Sequence, residues 1–241
     1  MTGPTLVAVA HGSRDPRSAA TVHELLGVVR AAAPDIDVRG AFLDLCAPRL
    51  KDVLADVTDA VVVPLLLGSA YHATVDIPGA VARATTRRPW LNVKVADVLG
   101  PDPRLEAAAF DRLLDAGAHP DDPELGVVLA AAGSSHPQAN AAVRRVARHW
   151  QPHTRWAGVT AAFAAAADPD VPAAVAVLRA AGARRIALGS WFLAPGRLPD
   201  RVAGAVPDAL VAEPLGASAE VADVVLSRYA TAQIGSDLLV S

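Results

Sequence analysis

A chain of 241 residues, 52% of them hydrophobic, can bury a sizeable core, and its length exceeds the usual single-domain mode. A net charge of -3 argues against a general nucleic-acid binder, and no apolar run approaches the length of a membrane span. Cys46 is the only cysteine, which excludes an internal disulfide and any Cys-based zinc or iron-sulfur site. Met1-Thr-Gly-Pro4 has neither a basic nor an apolar signal region, so a cytoplasmic location is expected. Alanine richness and the preference for Arg over Lys, of which only Lys51 and Lys94 exist, reflect genome composition more than function.

Residues 5 to 10 form a short apolar run before Gly12, which predicts a strand and a tight loop. Over residues 17 to 33, Val22, Leu25, Leu26, Val29, Ala32 and Ala33 fall on one helical face. Runs at 36 to 43, 60 to 67 and 91 to 98 predict further strands, with helices near 48 to 57, 77 to 86 and 102 to 116. Proline and acid cluster in Ala118-His-Pro-Asp-Asp-Pro-Glu124, the expected boundary. Beyond it the plan repeats, with strands near 125 to 131, 155 to 163, 185 to 190 and 209 to 212 and helices between and after them. Strands apolar on nearly every residue, joined through helices, imply parallel sheets covered on both faces. The expected fold class is α/β, with two tandem homologous lobes, 1–119 and 120–241.

The duplication is visible residue by residue. Val7-Ala-Val-Ala-His-Gly-Ser-Arg-Asp-Pro16 aligns with Val128-Leu-Ala-Ala-Ala-Gly-Ser-Ser-His-Pro137, and the same offset carries Ala41-Phe42 onto Ala162-Phe163 and Pro48 onto Pro169. A repeat this long is too large for a solenoid unit and fits two domains.

His11, Asp44 and His72 stand at or just after the ends of predicted strands, where parallel sheets place their ligands. The matching places in the second half hold Ala132, Ala165 and, after a slight slip, Arg197. Taken singly, each has an ordinary explanation. A lone strand-end His is more often hydrogen-bonded than ligating, Asp44 could cap a turn, and Asp76 reads as the N-cap of the following helix. Together, two imidazoles and a carboxylate suggest a transition-metal site, and a duplicated chain with one such set suggests one working site. The other histidines lack this placement. His23 and His149 fall on helices, His119 and His136 precede prolines, and His153 sits in a turn.

The ordered set His11-Gly-Ser-Arg14, Phe42-Leu-Asp44 with Pro48, and Pro64-Leu-Leu-Leu-Gly-Ser-Ala-Tyr-His72 with Asp76-Ile-Pro78 resembles the sirohydrochlorin chelatases. These are cobalt- or iron-inserting enzymes of cobalamin and sirohaem synthesis, related to the class II chelatases. The resemblance covers essentially the whole chain in the family's long two-lobed form. It implies a chelatase-like fold, a tetrapyrrole held between the lobes, and no nucleotide. It makes His11 and His72 the metal-handling histidines. Asp44 stands where the family commonly has Glu, and the histidine-rich tail and cysteine motif of some longer members are absent.

The residue types suit that chemistry. Insertion requires that an ion lose its water, be held near the ring, and replace two pyrrole protons. Neutral imidazole binds late first-row ions and accepts protons near neutrality. Two His and a carboxylate should hold Fe2+ or Co2+, here a substrate rather than a bound cofactor, loosely enough to release it to the ring. The substrate carries several carboxylates, so Ser13, Arg14 and Arg197 are candidate substrate contacts, with Arg49 and Arg201 as further cations and Trp191 and Phe192 as a wall for the macrocycle. A hydrolase built on His11 or Ser13 is disfavoured, because no Arg precedes His11-Gly12 and no Gly-x-Ser-x-Gly surrounds Ser13. Neither a P-loop nor a Gly-x-Gly-x-x-Gly fingerprint occurs. A non-catalytic metal or tetrapyrrole carrier needs the same ligands and remains the alternative. A monomer is expected, since two joined lobes already supply two walls.

Overall fold

The structure is a computed structural model that describes residues 3–68 and 72–234, and for His72 the backbone alone. The first sheet contains β1 (Thr5–Ala10), β2 (Val38–Phe42), β3 (Asp59–Pro64) and β4 (Asn92–Val95), in the order β2-β1-β3-β4 with parallel pairings. Helices α1 (Pro16–Ala32), α2 (Leu50–Ala55) and α3 (Ile77–Arg87) alternate with these strands, and α4 (Pro103–Asp115) follows β4. The second sheet contains β5 (Leu125–Ala131), β6 (Gly158–Phe163), β7 (Arg185–Trp191) and β8 (Leu210–Val211), in the corresponding parallel order β6-β5-β7-β8. Its helices are α5 (Pro137–Trp150), α6 (Val171–Ala180), α7 (Arg197–Gly204) and α8 (Ala219–Ile234). Two-sided burial explains the apolar strands: every residue of β1 and β5 is buried, with helices covering both sheet faces.

The compact units are not the contiguous halves 1–119 and 120–241. One comprises Met1–Asp102 with Gly216–Ser241, and the other is Pro103–Leu215. The last helix of each repeat has thus been exchanged. In the first unit α8 packs on α1, β3 and β4, burying Val221, Val224, Val225 and Tyr229. Polar contacts fix its register: the Tyr229 hydroxyl donates to the Pro4 carbonyl at 2.6 Å, and Arg228 donates to the carbonyls of Val98 (2.8 Å) and Leu99 (2.9 Å). In the second unit α4 packs on β7 through a face that buries Leu105, Ala109 and Leu113. Both helices carry the apolar face of a sheet cover, and that face fits either sheet.

Strand ends are sharper than the hydrophobic runs suggest. β3 stops at Pro64, and Leu65 continues only as a single bond to the Val9 carbonyl at 2.8 Å. The chain then passes through a π-helical turn, His72–Asp76, directly into α3. Asp76 therefore does not cap α3 through its side chain. The backbone there is already helical, at φ -69° and ψ -47°, so the amide donors a cap would satisfy are not left open in the usual way.

Candidate metal-handling site in the first unit

His11 follows β1, and Asp44 lies two residues beyond β2. The register pairing Ala10 with Phe42 brings those ends side by side. Two further bonds extend the pairing past the strands: Leu43 N–H donates to the Ala10 carbonyl at 3.0 Å and Asp44 N–H to the His11 carbonyl at 2.9 Å. This close approach depends on Gly12. Its φ is +96°, and a Cβ there would overlap the Asp44 carbonyl oxygen. Leu45 then takes a left-handed conformation at φ 64°, Cys46 N–H returns to the Asp44 carbonyl at 2.7 Å, and the Cys46 thiol donates to the Ser13 carbonyl at 3.1 Å. Main-chain bonds lace the two loops together, and the Cys46 thiol adds a side-chain link.

Both His11 and Asp44 are solvent-exposed, and a charge on the imidazole acts on the carboxylate. Asp44 is held below the usual carboxylate range, first by a hydrogen bond from the Leu45 backbone amide and then by Arg49, whose guanidinium lies 2.7 Å away. It is an anion at neutral pH, as a cation ligand must be.

His72 opens the π-helical turn on the loop after β3, the strand on the other side of β1. Its side chain lies outside the described residues, as do residues 69–71. Among the described residues no group of three or more His, Cys, Asp and Glu stands together. The structure brings His11 and Asp44 together and carries the backbone of His72 on the neighbouring strand's loop.

The Ser13 hydroxyl accepts from the Asp15 amide at 3.0 Å, a turn contact that places the start of α1, while Arg14 is exposed beside it. Trp191 does not form a wall for a ligand. It ends the buried strand β7 and is 4% exposed, because an aromatic at this register fills the core. Phe192 is partly buried against a cluster that includes Val128, Leu188 and Val202. Several histidines have structural roles: His23 meets Phe42 edge-on at 6.1 Å, and His149 Nδ1 lies 3.1 Å from Glu106.

The second unit repeats the lacing without the chemistry. Ala164 N–H donates to Ala131 at 2.8 Å, Ala165 N–H to Ala132 at 2.9 Å, and Gly133, at φ +86°, approaches Ala165 as Gly12 approaches Asp44. Arg197 is the first residue of α7 and has no π-helical turn before it. Arg197 thus stands directly at a helix start, whereas His72 stands on a π-helical turn. The turn that carries His72 has no counterpart in the second unit.

Comparison with known proteins accounts for this doubled geometry. A model of the CbiX family matches residues 5–116 and again residues 126–232. The chain belongs to the CbiX family. Among similar proteins, a sirohydrochlorin cobaltochelatase of Priestia megaterium is 25% identical over 206 residues, covering 82% of this chain and 67% of the relative. A sirohydrochlorin ferrochelatase of Bacillus subtilis is 28% identical over 172 residues, covering 68% of this chain and 64% of the relative. The structure of SirB from Bacillus subtilis with Fe3+ superposes with a TM-score of 0.79 at 23% identity, over 98% of this chain and 97% of that one. At that identity the likeness is one of fold. The CbiX repeat follows the sequence order, whereas the compact units exchange α4 and α8.

Proposed function

We propose that this chain is a sirohydrochlorin chelatase, inserting Fe2+ or Co2+ into sirohydrochlorin without ATP, for sirohaem or cobalamin synthesis. The observation that carries the reading is the asymmetry within a duplicated fold: the lacing of strand ends occurs twice, but only the first copy carries His11 and Asp44 on it. Relatives that are named as sirohydrochlorin cobaltochelatase and ferrochelatase support the substrate.

In this reading His11, His72 and Asp44 form one metal-handling set in the N-terminal repeat, residues 1–119, and residues 120–241 supply none. The carboxylate and imidazoles replace part of the ion's water. Imidazole then accepts the pyrrole protons, two N–H bonds breaking as the dication enters, so the charge on the ring nitrogens balances. Exposed cations at Arg14, Arg197 and Arg201 attract the substrate's carboxylates. A cytoplasmic monomer completes the proposal.

The test is a ring-metallation assay with purified protein, sirohydrochlorin and each ion, read by the absorbance change against a no-enzyme control. Many turnovers per protein are expected. A burst that stops at one ring per chain would make the protein a carrier, and rates equal to the control would remove the activity.

A further inference from the structure

Arg49 connects the candidate site to a second feature of the same unit. Its guanidinium lies 2.7 Å from the Asp44 carboxylate and donates to the Leu43 carbonyl at 3.1 Å. Arg49 also lines a groove of about 830 Å3 between α2 and α3, together with Lys51, Arg83, Arg87 and Arg88. Asp52 is the one carboxylate among the described lining residues. Arg88 is engaged by the Leu54 carbonyl at 2.7 Å, whereas Arg83 and Arg87 stand one turn apart on α3. A concave surface with this excess of positive charge is matched by clustered anions.

We propose that the groove binds clustered anionic groups, such as carboxylates, and that its occupant draws Arg49 away from Asp44 and so makes the carboxylate available to a metal ion. This rests on the reading of Asp44 as a metal ligand. While Arg49 holds Asp44, the carboxylate is partly neutralised and an approaching dication meets a guanidinium beside it. The pair is exposed, with Arg49 at 43% and Asp44 at 57%, so it is weak and modest competition opens it. Linkage makes the effect reciprocal: an anion tightens metal binding, and metal tightens anion binding. Such a device keeps the protein from sequestering metal until a polyanionic ring is at hand.

The test is cobalt titration of the full chain by calorimetry, with and without benzene-1,3,5-trisulfonate, a multivalent anion whose sulfonates are poor metal ligands. The anion should lower the cobalt Kd on the order of fivefold or more. Arg49→Gln should bind cobalt that much tighter with no anion and respond little to one, while Arg49→Lys, which keeps the charge, should remain weak. The double variant Arg83→Gln, Arg87→Gln should lose the anion response. Repeating the titration with a copper-loaded porphyrin polycarboxylate, which cannot accept cobalt, separates ring-borne from free anions, and a response to either supports the groove. Cobalt binding that depends on His11 and Asp44 but ignores both anions and Arg49→Gln overturns the switch alone. Binding indifferent to His11 and Asp44 overturns the ligand assignment, and the switch with it.

Discussion

The Asp44 amide donates to the His11 carbonyl at 2.9 Å, and Ala165 donates to Ala132 at the same distance in the second unit. One backbone device has therefore been kept twice while its side chains diverged. Because the lacing uses only main-chain atoms, removing the imidazole should leave it intact. His11→Ala is expected to keep the wild-type circular dichroism spectrum and lose on the order of a hundredfold in insertion rate. His136→Ala, beside the equivalent loop, should turn over near normally. Equal losses in the two variants would spread the site over both repeats.

Asp44 and imidazole should divide the pH response between them. The Asp44 carboxyl is held below the ordinary carboxylate value of about 4, so it stays charged through the range in which imidazole titrates, about pH 5 to 8. Metal binding should therefore weaken as pH falls through the imidazole range, with a second loss only below the ordinary carboxylate range. Any stability that Asp44's hydrogen bonds contribute is present above that ordinary value and disappears as pH falls through the lowered one. Asp44→Asn should still bind the ring, insert metal slowly, and lack the acid-side step in metal binding. Insertion rates unchanged by Asp44→Asn would assign the residue to structure.

Gly12→Ala and Gly133→Ala test the lacing itself. In each case a Cβ would collide with the carbonyl of the partner loop and hold a left-handed backbone at a cost of roughly 1–3 kcal/mol. Both should lower the thermal midpoint by several degrees. Only Gly12→Ala should also reduce insertion beyond the loss of folded protein, because it alone displaces His11 from Asp44.

Arg197 begins α7 and is exposed, which suits a carboxylate contact better than metal ligation. Arg197→Ala should raise KM for sirohydrochlorin more than it lowers kcat. A pure kcat effect would move Arg197 out of substrate capture.

The exchanged helices predict which fragments fold. A fragment of residues 103–215 retains α4 over β7 and should be soluble with a cooperative melt. A fragment of residues 1–102 lacks both α8 and α4 and leaves the apolar side of β3 and β4 uncovered, so it should aggregate. Light scattering and thermal melts of the two fragments decide this, and a well-folded 1–102 fragment would show the cover by α8 to be dispensable.

Much of this was legible in the sequence because it depends on local or repeated patterns. Strand–helix alternation followed from apolar runs and helical faces, and the pairing of His11 with Ala132 and Asp44 with Ala165 followed from a constant offset. That offset survives in the bonds of Asp44 to His11 and Ala165 to Ala132. Three matters were decided only by tertiary structure. Periodicity says that α4 and α8 each cover a sheet but not which one, since one apolar face fits either; long-range anchors such as Tyr229 to Pro4 make the choice. The backbone that carries His72 is a π-helical turn whereas Arg197 opens α7 directly, a difference that composition does not reveal. Trp191 looked available for a flat ligand, yet the direction of a strand-end side chain depends on which face is covered, and there the core claimed it.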